Sequence, residues 1–114
     1  IWEPEFKGFS YGFRPKRVDM LHRIEMARVG VHYAAWASDV DGPDRESTAA
    51  MAKSFSAEAA NYVTEECIQI HGGDGYKWDC DAHFYLRRAK VNDLLLGDQA
   101  WHRARVADAY FAAL

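Results

Sequence analysis

The sequence predicts an all-α fold of three or four helices, an up-and-down bundle or a large part of one. Apolar residues recur at spacings of three and four over several long segments, and groups of glycine and proline separate these segments. No segment shows the period-two alternation that is typical of a strand. A chain of 114 residues holds one hydrophobic core. We therefore expect one helical domain at residues 14–114, preceded by a lead-in segment at residues 1–13.

The lead-in segment follows neither a helical nor a strand period. Residues 1–13 combine five aromatic residues with Pro4, Gly8 and Gly12, a mixture that predicts an ordered lead-in or a loop. The chain begins at Ile1 without a methionine and without a basic region followed by an apolar run. We interpret Ile1 as a cut or processed end and expect the chain to be part of a longer protein.

The first two predicted helices are long and are joined by a tight turn. The first covers about residues 14–40, and the second runs from beyond Asp41-Gly42-Pro43-Asp44 to about residue 70 or 71. Glycine permits positive φ and proline cannot continue the hydrogen-bond ladder, so this tetrapeptide separates two helices. Their apolar stripes are Met20, Ile24, Ala27, Val31 and Ala34, and then Ala52, Phe55, Ala59, Tyr62 or Val63, Cys67 and Ile70.

Two shorter helices complete the predicted bundle. Asp81 is placed to cap a third helix that ends at about residue 90 or 93, and Asp98 is placed to cap the last helix. The connection between them is Leu94-Leu95-Leu96-Gly97. The buried stripe predicted for the last helix consists of Ala100, Ala104, Ala107, Phe111 and Leu114.

Composition excludes several functional classes. A formal net charge of −3 with 49% apolar residues is typical of a folded, soluble protein and disfavours non-specific nucleic-acid binding. No run approaches the roughly 20 apolar residues that a membrane span needs, so we expect no membrane partner. Two cysteines are too few for a disulfide framework, which favours a reducing, cytoplasmic location. Four tryptophans and six tyrosines favour a subunit or domain interface.

The most informative stretch is Gln69-Ile70-His71-Gly72-Gly73-Asp74-Gly75-Tyr76, where the second long helix stops. One interpretation is a C-terminal cap followed by an ordinary loop. The other is that a ligand comes close to the backbone, which three glycines in four positions would permit. Composition alone leaves both interpretations open.

This stretch resembles the signature of the acyl-CoA dehydrogenase family. Similar residues follow it at Tyr85, at Arg87 and in Ala89-Lys90-Val91, and precede it in Val18-Asp19-Met20, in Glu25-Met26-Ala27-Arg28 and in Ala50-Met51-Ala52-Lys53. The resemblance covers about residues 14–114 and implies the four-helix C-terminal domain of that family. It also implies FAD bound between the subunits of a tetramer and an acyl-CoA substrate.

The resemblance assigns cofactor contacts to two segments. It implies that Gln69, Ile70, His71, Gly72 and Gly73 lie against the adenosine and pyrophosphate part of an FAD held mainly by a neighbouring subunit. Glycine lets the backbone approach an anionic pyrophosphate, to which exposed amides donate hydrogen bonds. The same resemblance places Gly97 beside the acyl chain or the flavin, and it places Asp98 and Gln99 at the cofactor, where the family carries threonine and its neighbour.

The catalytic position of the family is altered. The glutamate that removes the α-proton of the acyl thioester falls on Leu96, and a leucine side chain accepts no proton. Two alternatives follow from the family. Either the base lies on another helix that precedes this chain, or the chain is a subunit without a working base in a hetero-oligomer. Both a homo-oligomer and a hetero-oligomer remain open.

Further residues resemble a bacterial branch of the family that acts in lipid and steroid side-chain catabolism. They are Trp78, Asp81-Ala82-His83, Leu86-Arg87-Arg88 and Gly97-Asp98.

Two competing hypotheses belong to other functional classes. Cys67, His71, Cys80 and His83 are potential zinc ligands, although their spacing is not a common finger pattern. A purely structural helical module that dimerises through its apolar faces is the other hypothesis. The remaining histidines, His22, His32 and His102, lie on predicted helices and are expected on the surface or in packing roles.

Overall fold

The computed structural model describes residues 3–73 and 77–114, with side chains from residue 16 onward within these ranges. These residues form four helices and no strand, which confirms the all-α prediction. The helices are α1 (Glu3–Asp39), α2 (Arg45–His71), α3 (Ala82–Leu94) and α4 (Gln99–Ala113). Helix α2 packs against each of the other three and forms the centre of the bundle.

The start of α1 differs from the sequence prediction. We expected a lead-in or loop through residue 13, but the backbone is helical from Glu3. Pro4 falls in the first turn, where the missing N–H has no helical partner to lose. Gly8 and Gly12 each lower helix propensity by only about 1 kcal/mol. The prediction failed because these residues weaken a helix without ending it.

The ends of the other helices agree closely with their predicted signals. The second helix ends at His71 as predicted, and its C-cap Gly72 has a φ of 64°. Asp98 caps α4 as predicted, since its Oδ1 accepts a hydrogen bond from the Trp101 N–H at 2.9 Å. The cap predicted at Asp81 is wrong in one respect, because this side chain makes no capping hydrogen bond.

Small residues form the buried core. The buried apolar residues are Ala37, Ala50, Ala57, Ala59, Ile68, Ala82 and Ala89. Small side chains let neighbouring helices approach closely, but they bury little apolar area. Large apolar side chains remain on the surface, including Trp36 at 57% exposure and Phe111 at 67%. This chain therefore presents wide apolar surfaces that its own helices do not cover.

The buried face of α4 was predicted wrongly. Phe111 and Leu114 are exposed, as are the three alanines of the predicted stripe. The buried residue of this helix is His102. A period of three and four identifies an apolar stripe, but it does not say which side of the helix meets α2.

Within the described residues, no helix has an apolar stretch long enough to cross a lipid bilayer.

Candidate functional site

The two predicted contact segments occupy opposite parts of α2. We call residues 69–73 the glycine turn and residues 95–98 the junction loop, which connects α3 to α4. The junction loop contacts α2 at Lys53, and the glycine turn begins at Gln69. Sixteen helical residues span about 24 Å at 1.5 Å per residue. The structure therefore does not bring the two segments into one site within this chain.

The glycine turn is open to its surroundings. The Gly72 N–H donates a hydrogen bond to the Gln69 carbonyl, and its φ of 64° lies in the region that favours glycine. A Cβ added at Gly72 or Gly73 would have no neighbouring atom within 4 Å. A planar or anionic group can therefore approach this backbone directly. Gly75, the third glycine of the motif, lies outside the described residues.

Polar side chains surround the glycine turn. Lys16 Nζ donates to Gln69 Oε1 at 3.1 Å and lies 3.2 Å from a Glu66 carboxylate oxygen. His71 Nδ1 donates to the Cys67 carbonyl at 2.8 Å, so the other ring nitrogen, Nε2, is left for another partner. Ile70 is half-buried beside them. The turn thus places a cation and an imidazole beside an exposed glycine backbone, a combination that suits phosphate.

The zinc hypothesis finds no support in this geometry. Cys67 Sγ lies 3.8 Å from His71 Nδ1, and that nitrogen already donates to a carbonyl. His83 Nε2 lies 3.5 Å from the Trp78 carbonyl. Across residues 3–73 and 77–114, no group of three or more histidine, cysteine or acidic side chains is arranged to hold a metal.

The junction loop has a tightly constrained backbone. Leu96 and Gly97 both have positive φ, 61° and 97° respectively. A Cβ on Gly97 would lie 2.7 Å from Trp101 Cε3 and 3.0 Å from His102 Nε2. Glycine is therefore required at 97 both by conformation and by space. Leu96, the residue predicted to replace the family's base, has 90% of its surface exposed.

Lys53 holds the end of α3 and the junction loop together. Its Nζ donates to the carbonyls of Asn92, Asp93 and Gly97 at 3.0, 3.1 and 3.2 Å. The last carbonyls of a helix have no partners within the helix, and a cation there also meets the negative end of the helix dipole. An ammonium group has three donors, and Lys53 uses them on three carbonyls. The family resemblance included Lys53, but sequence reasoning gave it no role.

His102 holds the junction loop from α4. This side chain is buried, and its Nε2 donates to the Leu96 carbonyl at 2.9 Å. Its ring meets the Trp101 ring edge to face, with centroids 4.8 Å apart. Sequence reasoning expected only a surface or packing role for this histidine. No local pattern signals a bond to a carbonyl six residues earlier.

The side chains of Asp98 and Gln99 have partners within the chain. Asp98 caps α4, and Gln99 Nε2 donates to Asp93 Oδ2 at 3.0 Å. Asn61 Nδ2 donates to the same carboxylate oxygen at 2.9 Å, and Arg103 donates to Gln99 Oε1 at 3.3 Å. The cofactor contacts predicted for Asp98 and Gln99 remain predictions, and any such contact must coexist with these bonds.

Two concave surfaces lie near these elements. A shallow hollow of about 370 Å³ is lined by Leu96, Gly97, Asp98 and Trp101. A larger apolar groove of about 410 Å³ lies between α1, α2 and α4, where Tyr33 and Phe55 are among its walls. The larger groove contains none of the residues predicted to contact cofactor or substrate. The smaller hollow is the better candidate, because its lining includes Gly97 and Asp98, which are predicted contact residues.

Comparisons with known proteins identify the family. The family described as acyl-CoA dehydrogenase, C-terminal domain, matches residues 12–111. The chain is 43% identical over 86 residues to acyl-CoA dehydrogenase FadE34 of Mycobacterium tuberculosis, an alignment covering 74% of this chain and 12% of that protein. It is 32% identical over 90 residues to acyl-CoA dehydrogenase IpdE2 of Mycolicibacterium smegmatis, covering 79% of this chain and 27% of that protein.

A solved structure is similar to this chain in fold and in sequence. It is described as an electron transferring flavoprotein of Acidaminococcus fermentans, and it superposes with a TM-score of 0.77 at 38% identity. The superposition covers 82% of this chain and 24% of that chain. The present chain thus spans between 12% and 27% of the length of these relatives. The helices, the glycine turn and the matches together show that this chain belongs to the acyl-CoA dehydrogenase family and corresponds to its C-terminal domain.

Proposed function

We propose that this chain is the C-terminal domain of an FAD-dependent acyl-CoA dehydrogenase subunit. In this proposal the domain contributes to FAD binding at a subunit interface, and the whole assembly oxidises an acyl-CoA thioester to its 2,3-enoyl product. The observation that carries the proposal is the open glycine turn at the end of α2, where added Cβ atoms at Gly72 and Gly73 meet nothing within 4 Å. The chain alone is expected to be inactive.

The residues of the glycine turn fit a dinucleotide. The Gly72 N–H already donates to the Gln69 carbonyl, so in this proposal the pyrophosphate lies against the open Gly73 backbone, and His71 Nε2 would be available for a further hydrogen bond. Lys16 donates to Gln69 and pairs with Glu66, so its ammonium group lies beside the same surface. FAD, when bound, supplies the flavin that accepts hydride from the β-carbon of the acyl group.

The separation of the two segments supports binding between subunits. The junction loop lies about 24 Å along α2 from the glycine turn. We propose that the glycine turn contacts the adenosine and pyrophosphate of an FAD held mainly by a neighbouring subunit. In the same proposal, Gly97, Asp98 and Gln99 border the flavin or the acyl chain at the other end. Exposed apolar residues such as Trp36 and Phe111 favour assembly with other subunits, and we propose a tetramer. We propose the cytoplasm as its location.

The junction loop cannot supply the catalytic base at residue 96. A carboxylate elsewhere in the assembly must remove the α-proton, because Leu96 has no proton-accepting group. That carboxylate would lie on another element of the same subunit or on a different subunit of a hetero-oligomer.

A flavin assay on the intact protein tests the cofactor proposal. We expect the intact protein to purify yellow with bound FAD. Gly73→Leu should reduce FAD retention with little change in thermal stability, because nothing within this chain lies near the new side chain. Ala60→Leu, which places the same side chain on the exposed side of α2, is the control. A colourless intact protein that binds no FAD would contradict the proposal and favour the structural module.

A second variant tests the missing base. Leu96→Glu in the intact protein should increase acyl-CoA dehydrogenation if loss of the base is an isolated change in an otherwise competent site. Unchanged activity in a flavin-loaded protein would indicate a base elsewhere or a subunit that does not carry out the chemistry.

A further inference from the structure

The Lys53 side chain donates hydrogen bonds to three backbone carbonyls at and beside the junction loop. It reaches from α2 to the carbonyls of Asn92 and Asp93 at the end of α3 and of Gly97 in the junction loop, all within 3.2 Å. These acceptors are 39 to 44 residues away in sequence, so the bonds are tertiary contacts. Removing the ammonium would leave three carbonyls without their partner.

His102 restrains the same loop from the opposite element. It donates to the Leu96 carbonyl at 2.9 Å, while its ring and that of Trp101 fill the space in front of Gly97. Side chains from α4 and α2 therefore hold the carbonyls of two consecutive residues, Leu96 and Gly97. That backbone lies at positive φ, a conformation that a leucine keeps only when its surroundings impose it.

None of these bonds involves the side chain of residue 96. The restraints act on carbonyl oxygens, and the Leu96 side chain is 90% exposed. The direction in which residue 96 points is thus set by its neighbours rather than by its own chemical identity.

We propose that Lys53 is the positioning residue of the junction loop, with His102 as its counterpart on α4. Lys53 fixes the loop backbone and thereby sets where residue 96 and Gly97 lie against the flavin and the acyl chain. This inference rests on the proposed function, since it gives the loop a role at that site. It also predicts that any side chain placed at residue 96 is presented in the same direction as Leu96.

The test uses the intact, flavin-loaded protein and the variants Lys53→Met, Lys53→Arg and Arg45→Met. Methionine keeps most of the lysine length without its charge or donors, and arginine restores a cation. Arg45 is an exposed cation on the same helix that pairs with Asp41 and serves as the control. The measurements are FAD content, visible circular dichroism of the bound flavin, turnover of a series of saturated acyl-CoA thioesters, and hydrogen exchange of the amides at residues 95–97.

Lys53→Met is expected to retain its FAD while the visible circular dichroism of the flavin changes and amide exchange in the loop accelerates at least about ten-fold. Turnover per bound flavin should fall by roughly 100-fold, mainly in kcat, because a displacement near 1 Å has that effect on a reacting geometry. Lys53→Arg should recover part of each change, and Arg45→Met should resemble the wild type.

Several results would overturn the inference. A Lys53→Met protein whose thermal stability falls, but whose remaining flavin has wild-type spectrum and turnover, would show a merely structural lysine. If this variant does not fold, His102→Phe carries the same test, because it removes the bond to the Leu96 carbonyl and keeps a ring in place. A wild-type protein without flavin would contradict the proposed function instead. Amide exchange at residues 95–97 then decides whether Lys53 holds the loop. Equal exchange rates in Lys53→Met and Arg45→Met would show that it does not.

Discussion

The glycine turn and the junction loop both contain glycine at positive φ, yet they use it for opposite purposes. At Gly72 the space above the backbone is empty, whereas at Gly97 it is filled by the Trp101 and His102 rings. The first glycine keeps a surface accessible, and the second lets the chain's own side chains close around a loop. Glycine at two helix ends therefore gives one backbone surface that is open and one backbone that the chain's own side chains already hold.

The largest expected effect separates these two uses of glycine. Gly97→Ala should destabilise the intact protein by about 2–4 kcal/mol. The new Cβ would strain the backbone at positive φ, and it would also lie only 2.7 Å from the Trp101 ring. Gly73→Ala should be neutral or stabilise by about 0.5 kcal/mol, since its Cβ meets nothing and its φ is ordinary. Denaturant unfolding of both variants measures the difference. Equal changes in the free energy of unfolding would show that the backbone is no more crowded at Gly97 than at the glycine turn.

Helix caps provide a smaller comparison with a matched control. Asp98 and Asp81 each precede a helix, but only Asp98 accepts a capping hydrogen bond. Asp98→Ala should cost about 1 kcal/mol of stability. Asp81→Ala should cost less than about 0.5 kcal/mol, as is usual for a surface substitution without a special contact. If Asp81→Ala lowers the free energy of unfolding as much as Asp98→Ala does, the capping bond of Asp98 does not explain the difference between the two helix starts.

Sequence reasoning succeeded where the physical cause is local. Glycine at residue 72 ends α2, and the carboxylate of Asp98 begins α4, because each acts on backbone groups within a few residues. The turn at residues 41–44 was predictable for the same reason. The all-α class followed from the period of the apolar residues, and the family followed from the ordered motif around the glycine turn.

The rest depends on contacts between distant parts of the chain. The bonds of Lys53 join residues 39 to 44 positions apart, and no helical period encodes them. The buried face of α4 depends on which side meets α2, so the prediction chose Phe111 and Leu114 where the structure buries His102. The sequence predicted a loop before residue 14 because Pro4, Gly8 and Gly12 have low helix propensity, but the backbone is helical from Glu3.

The support between α1 and α2, on the glycine-turn side of Lys53, is built from charge, in contrast to the rings and carbonyls that hold the junction loop. One helical turn beyond Lys16, which donates to Gln69, α1 meets α2 through Asp19, Arg23 and Tyr62. Arg23 Nε lies 3.4 Å from an Asp19 oxygen, and the Arg23 guanidinium lies 4.0 Å from the centre of the Tyr62 ring. A hydrogen bond from Tyr62, with help from Arg23, lowers the pKa of Asp19 below its ordinary value of 3.8. The same bond to Asp19 raises the pKa of Tyr62 above 10.0.

The smallest expected effect is a pH dependence confined to this support. Because the pKa of Asp19 is lowered on folding, its contribution is present above pH 3.8 and is lost as pH falls through the lowered value. Because the pKa of Tyr62 is raised, its contribution is present below pH 10.0 and is lost as pH rises through the raised value. Asp19→Asn should therefore flatten the acid side of the stability profile, and Tyr62→Phe should flatten both sides.

Hydrogen exchange at each segment tests whether this dependence is local. Acidification through the lowered pKa of Asp19 should loosen the amides near residues 69–73 before those at residues 95–97, because the bonds of Lys53 and His102 to carbonyls do not involve Asp19. The shift should be small and should shrink with added salt, since Asp19 and Arg23 are partly exposed and salt screens such pairs. Asp39→Asn, the same change on an exposed residue at the other end of α1, is the control. Simultaneous loosening of both segments in the wild type would mean that the glycine turn and the junction loop share one support, and that the contrast between them lies only in their glycines.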